Sequence, residues 1–240
     1  MINPCALIPI FDHPDTIEKV IAELPGELPC LVVDDGSGEE TRAAVQRAVA
    51  ARADAWVVRR ERNGGKGAAL KTGYRAAFER GFTHVVQLDA DGQHRVSDVP
   101  RFLAAMRAHP DALVLGVPVF DESAPFARIY ARQLSRGLVW LACLSRAVPD
   151  PLCGFRGVPL APALAMIGSV TTGDWMDFEP EMAVRMVWHG TPIETLPTRV
   201  IYPPDGISHF SIALDYPRLA SLYVRLFGGM LWRAPELLRR

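Results

Sequence analysis

Short, nearly all-apolar runs recur through the first half of the chain: Cys5 to Pro9, Cys30 to Val33, Ala55 to Val58, Val85 to Leu88 and Ala112 to Leu115. A strand that is apolar on both faces has to be covered on both faces. Strands separated by helices join in parallel through right-handed crossovers. The stretches between the runs carry helical spacing. Ile17, Val20, Ile21 and Leu24 fall at i, i+3, i+4 and i+7, and Val99, Phe102, Leu103 and Met106 share a face in the same way. Ser37 with Glu40 reads as a capping box that starts a helix carrying Val45 and Val49 inward, and Ala68 to Phe78 is a further helical stretch. The pattern predicts an α/β fold with a mostly parallel central sheet and helices on both faces.

Ligands on such sheets sit at the carboxyl ends of the strands. The polar motifs stand there: Pro9-Ile10-Phe11-Asp12, Asp34-Asp35-Gly36-Ser37, Asn63-Gly64-Gly65-Lys66-Gly67 and Asp89-Ala90-Asp91-Gly92-Gln93-His94. In extended chain, residues two apart point the same way at about 6.6 Å spacing, so Asp89 and Asp91 can present two carboxylates to one side. Hard oxygen ligands of this kind suit Mg²⁺ or Mn²⁺ together with a diphosphate. An EF-hand is excluded, because His94 stands where that loop needs glycine. Asp34 and Asp35 can accept hydrogen bonds from a base edge and ribose hydroxyls, or serve as turn and cap residues. The Gly64 to Gly67 loop offers close backbone approach, a helix amino terminus and Lys66, all suited to anions. It is not a Walker loop, because glycine follows Lys66.

The second half is less regular. Asp121 to Pro125 reads as a mobile loop, and Arg128 to Arg146 as a helix that covers a core while exposing basic groups. Arg156, in Cys153-Gly154-Phe155-Arg156, can grip a phosphate at two points or form a structural ion pair. Asp177, Glu179 and Glu181 precede a helix ending near Gly190. Carboxylates placed there can act as a general base, and acids at a helix start also complement its dipole. Leu196 to Tyr202 reads as a strand carrying Arg199, and Asp205 to Phe210, with Ser208 and His209, as a loop able to close over phosphates. From Ile212 onward, Leu219, Tyr223, Leu226, Leu231 and Trp232 stand beside Arg218, Arg225 and Arg233. That helix can lie on an anionic membrane or pack against the domain or a second subunit, which would make a homo-oligomer.

A chain of 240 residues, 49% hydrophobic, has ample material for a packed core, and a net charge of −1 gives no basic excess for nucleic acid. Cys5, Cys30, Cys143 and Cys153 form no Cys-x-x-Cys pair and are expected as buried reduced thiols. Met1 leads almost directly into the first strand, so no signal peptide is expected.

Together, Ile8-Pro9-Ile10-Phe11, Val33 to Ser37, Asn63 to Gly67, Asp89 to His94 and Cys153 to Arg156 resemble the family 2 glycosyltransferases of the GT-A fold. The Asp-Ala-Asp-Gly-Gln-His run and the Gly-Phe-Arg element are most similar to the branch of dolichyl-phosphate mannosyltransferase and other polyprenyl-phosphate sugar transferases. The resemblance implies a Rossmann-like nucleotide-diphospho-sugar transferase domain over residues 1–210, followed by a helical tail over 211–240. It implies a metal-dependent inverting enzyme using a UDP- or GDP-linked sugar and a polyprenyl phosphate or other membrane-associated acceptor, in the cytoplasm or on the cytoplasmic membrane face. The alternatives are a hydroxyl acceptor, a sugar-phosphate nucleotidyltransferase or a silent nucleotide-sugar-binding protein; Pro9 to Pro14 is not the glycine-rich loop of the nucleotidyltransferases. On this reading Pro9, Phe11, Asp12, Asp34, Asp35, Lys66, Gly67, Asp89 and Ala90 bind the donor, and Asp89 and Asp91 hold Mg²⁺ or Mn²⁺. Gln93, His94, Arg156, Arg199, Ser208 and His209 face the acceptor or its phosphate, and Asp91, Arg156, Asp177, Glu179 and Glu181 serve catalysis. Asp12 stands where the family often has asparagine.

Overall fold

The computed structural model describes residues 1–120, 126–200 and 212–239. The expected loops at 121–125 and 205–210, with Ser208 and His209, lie outside the described residues. The strands are β1 (Pro4–Ile10), β2 (Cys30–Asp34), β3 (Ala55–Arg59), β4 (His84–Gln87), β5 (Leu113–Phe120), β6 (Arg156–Pro159) and β7 (Ile193–Val200). The helices are α1 (Ile17–Ala22), α2 (Glu39–Ala50), α3 (Lys66–Glu79), α4 (Val99–Ala108), α5 (Phe126–Cys143), α6 (Leu160–Ser169), α7 (Phe178–Trp188) and α8 (Ile212–Leu237). The strands form one sheet in the order β3-β2-β1-β4-β6-β5-β7.

Alternation along β1 shows why both faces are covered. Cys5 and Leu7 join a core cluster built with α3, α5, α6, α7 and α8, whereas Ala6, Ile8 and Ile10 join a second one built with α1, α2 and α4. The β1 to β4 pairings are parallel, so the ends of these strands share one edge. Among the described strands only β6 runs against its neighbours, with Gln87 opposite Arg156. The excursion through α5 brings the chain back at the edge where β4 ends, so the next strand has to enter from that edge and run backwards. This reversal sets the Cys153 to Arg156 element beside the acids at the end of β4.

The expected Ser37–Glu40 capping box does not form, because Gly38 caps α2 and Ser37 Oγ accepts the Asp12 N–H instead. All four cysteines are free and buried, and burial pushes the Cys143 thiol up to about 12. The inner residues of α8, among them Leu222, Leu226 and Met230, belong to the same core as the sheet, while Val224, Leu231, Trp232 and Leu238 are exposed. No described helix is long and apolar enough to cross a membrane.

Candidate active site

A cleft of about 1040 Å³ opens at the carboxyl edge of the sheet. Its polar end is lined by Asp35, Asn63, Lys66, Asp89, Asp91, Gln93 and Glu179, with Pro9, Phe11 and Ala90 beside them. The wall supplied by α5 and α8 is mostly apolar, with Tyr130, Leu134, Leu138, Leu219 and Tyr223, and also carries Arg132, Ser135 and Asp215. This wall was not foreseen as part of a site. Its only signal was the spacing of Leu134 with Leu138 and of Leu219 with Tyr223, which is also that of ordinary core helices.

At the polar floor, Lys66 is the first residue of α3, and its ammonium lies 2.6 Å from Asp89 Oδ1 and 2.8 Å from Glu179 Oε2. His94 Nε2 donates to Asp89 Oδ2 at 3.1 Å. Burial works against the Asp89 charge, yet Lys66 and His94 outweigh it and hold the carboxyl well below the usual range. Burial likewise opposes the Lys66 charge, but Asp89 and then Glu179 raise its pKa. Asp91 moves the other way: burial first, and then the charge of Asp89, push it up, against the lowering effect of the Gln93 N–H. That amide donates to Asp91 Oδ1 at 2.9 Å. Gly154 sits directly behind Asp89, where any side chain would collide with the carboxylate.

Asp35 ties the neighbouring loop in place by accepting the Gly65 N–H at 2.8 Å and pairing with Arg60. Burial is the largest influence on its carboxyl and shifts it upward. Gly65 is at φ +95, where its backbone packs against Asp174 and Trp175; a side chain there would be strained and would clash.

Several expected contacts are corrected by the geometry. Arg156 is 0% exposed, and its three donor groups are spent on the carbonyls of Cys153 (2.8 Å), Glu179 (2.8 Å) and Pro151 (2.7 Å), so it does not reach a phosphate in the cleft. Glu181 is buried on the far side of α7, accepting the Gly173 N–H and pairing with Arg185 and Arg225. Asp177 accepts the Trp175 N–H at the start of α7 and does not line the cleft. Asp34 is held by Ser37 N–H and Arg59, and Asp12 by the Gly38 N–H; both brace the loops after β1 and β2 rather than line the cleft. Gly67 lets α3 approach Phe178, where a side chain would collide. His94 touches Asp89 but does not line the cleft, and Arg199 is exposed on β7 away from it. Arg132, which the sequence did not single out, is the one arginine among the described residues that line the cleft; its Nη1 lies 2.8 Å from both oxygens of Asp150.

Asp89 and Asp91 are hard oxygen donors at a strand end, which fits a divalent cation. No group of three or more His, Cys, Asp or Glu able to hold a metal occurs among the described residues, so such an ion would complete its shell with phosphate oxygens and water.

The chain is similar to several known proteins. The chain is 32% identical over 215 residues to the undecaprenyl-phosphate mannosyltransferase of Micrococcus luteus, covering 85% of this chain and 86% of that one. It is 30% identical over 112 residues to the polyprenol monophosphomannose synthase of Mycolicibacterium smegmatis, covering 45% and 42%. Its fold matches glucosyl-3-phosphoglycerate synthase from Mycobacterium tuberculosis in complex with UDP, with TM-score 0.68, 19% identity and coverage of 94% of this chain and 80% of that one. Another structure of that enzyme holds Mn²⁺, UDP and glucosyl-3-phosphoglycerate. The profile of glycosyl transferase family 2 matches residues 5–150, more than half of the sequence, and the strand-end motifs fall inside it. The chain belongs to glycosyl transferase family 2 and is a glycosyltransferase of the GT-A fold.

Proposed function

We propose that this enzyme moves a sugar, with inversion, from a UDP- or GDP-linked donor to a polyprenyl phosphate. The observation that carries the reading is one cleft that joins a charged floor at the sheet edge to a mostly apolar wall from α5 and α8, on which Arg132 stands. An isoprenoid acceptor has two matching parts, a phosphate head on an apolar chain. The names of the Micrococcus and Mycolicibacterium relatives support that acceptor, and the Mn²⁺ and UDP held by the mycobacterial synthase support the donor and the cation.

In this mechanism Asp91, with Asp89 next to it at the strand end, would hold Mg²⁺ or Mn²⁺. The ion supplies charge neutralisation for the departing diphosphate. Asp35, Asn63 and Gly65 receive the nucleoside, and Arg132 takes over the acceptor-phosphate role expected of Arg156. An acceptor phosphate oxygen attacks the anomeric carbon as the bond from that carbon to the nucleoside diphosphate breaks, giving a sugar phosphodiester and the free nucleotide. The second pKa of a phosphate monoester is near 6, so the nucleophile arrives largely ionised and no protein base is required. Glu179, already paired with Lys66, is poorly placed to be one.

The test is transfer from UDP- and GDP-sugars to undecaprenyl phosphate in detergent, beside the matching polyprenol and a chelated control. Product from the phosphate alone, abolished by chelation, is expected; product from the polyprenol alone overturns the reading. Leu219→Asp puts a charge on the apolar wall and should raise the acceptor KM about 10- to 100-fold, the value of one buried leucine, with donor KM unchanged. A change confined to donor KM would remove that wall from the acceptor site.

The exposed face of α8 fits a peripheral position on the cytoplasmic membrane surface. Leu231→Asp combined with Trp232→Ala is expected to weaken sedimentation with anionic phospholipid vesicles by at least about tenfold while solution activity persists. Undiminished vesicle binding by this double variant would exclude that face.

A further inference from the structure

The Lys66 ammonium is not a solvated surface charge. Its side chain is 16% exposed and those of its partners Asp89 and Glu179 are 22% and 6% exposed. The partners are themselves held. Glu179 Oε1 accepts the Gln87 amide at 2.7 Å, that amide also donates to Gly154 O at 3.0 Å, and Gln87 Oε1 accepts the Tyr74 hydroxyl at 2.7 Å. Tyr74 and Gln87 are fully buried. A rigid chain of hydrogen bonds thus runs from α3 through β4 to α7 and ends on Lys66. Asp89 is engaged on both oxygens, by Lys66 and by His94, and backed by Gly154. Asp91 lines the cleft with no cation paired to it among the described residues.

We propose that Lys66 is an internal counter-ion, positioned by Glu179, which neutralises Asp89 so that Asp91 carries the charge offered to a divalent cation. Glu179 then serves transfer by holding Lys66, as a positioning residue, and not by accepting a proton. The proposal rests on the cation reading above. It also explains why the floor keeps a lysine against its acids: a cation gripped by both carboxylates would have less charge and fewer free positions to give to the diphosphate. With Lys66 removed, Asp89 Oδ1 becomes available beside Asp91 and a nearby positive charge disappears. Both changes strengthen binding of a divalent ion, and for charges a few ångströms apart the gain is at least about tenfold even at high dielectric.

The experiment measures Mn²⁺ binding by electron paramagnetic resonance without nucleotide, in wild type, Lys66→Met, Lys66→Arg and the double variant Lys66→Met with Glu179→Gln, which removes the charges of the pair together. Thermal midpoints establish folding. Tighter Mn²⁺ binding by at least about tenfold in the methionine variants, wild-type binding in Lys66→Arg, and a reduced kcat in the methionine variants are expected. Glu179→Gln alone should lower kcat while keeping the acidic limb of the pH profile, since no base is lost. Unchanged or weaker Mn²⁺ binding in both methionine variants overturns the proposal while the cation reading stands. Failure of both to fold makes Lys66 structural and overturns it as well. Absence of Mn²⁺ binding in every protein, wild type included, overturns the cation reading and this proposal together.

Discussion

Asp91→Asn lowers sugar transfer by at least about 100-fold, on the order of 3 kcal/mol, and leaves the fold intact. The magnitude follows from the loss of the carboxylate proposed to hold the cation, whose neutralisation of developing charge is worth several kcal/mol. The stability sign follows from the carboxyl itself. Burial, then Asp89, raise its pKa in the folded protein. A group so raised binds its proton more readily folded than unfolded, so its ionisation at neutral pH costs stability, and that cost fades as pH falls toward the ordinary carboxylate range. The amide is never ionised. The variant is therefore expected to melt at or above the wild-type temperature at pH 7, with the advantage shrinking in acid. Transfer kinetics, calorimetric Mn²⁺ titration and melting across pH check this. Retained Mn²⁺ affinity with retained transfer would take Asp91 out of the cation site, and a large drop in the neutral melting temperature would make it structural.

Arg156→Met is expected to destabilise the protein by about 3–5 kcal/mol, the cost of breaking a buried charged network by removing one partner. The guanidinium satisfies three backbone carbonyls and lies 3.9 Å from Glu179, all in an interior without water contact at that residue. Methionine fills the volume but leaves those carbonyls unpaired. For a chain of this size the melting temperature should fall by roughly 10 °C. Arg156→Lys keeps the charge but not the three-way geometry, and should fall between the two. Denaturant midpoints measured beside transfer rates decide it. Wild-type stability with transfer lost in the acceptor term would return Arg156 to the phosphate.

The acids near α7 show where reading the sequence stops. Asp177, Glu179 and Glu181 alternate, and alternate residues share a side only in extended chain. In a helix of 3.6 residues per turn, two positions are about 200° apart. Glu179 therefore faces the cleft while Glu181 faces Arg185 and Arg225 in the interior, and Asp177 caps the turn before the helix. The sequence reading set these acids ahead of the helix, whereas α7 already begins at Phe178 and takes in Glu179 and Glu181. Which of them meets the cleft was not legible, because that depends on how α7 is rotated against α3. Asp12 and Asp34 taught a related lesson. Acids at strand ends have two uses, binding a ligand or bracing neighbouring loops, and local sequence does not choose between them.

What the sequence alone determined is the part governed by local pattern. Runs such as Cys30 to Val33 have to be buried on both faces, and helices between them force parallel strands; polar motifs that follow parallel strands have to meet at one edge. The position of Asp89, Asp91, Asp35 and Lys66 in one cleft follows from that rule. What only the tertiary structure decided depends on partners distant in the chain. The reversed β6 buries Arg156 next to Gln87, Lys66 finds Glu179 across 113 positions, and α5 with α8 turn two amphipathic helices into a mostly apolar wall. None of these is written in a period or a motif, since a buried charge and an apolar stripe acquire their meaning from whatever the folded chain sets against them.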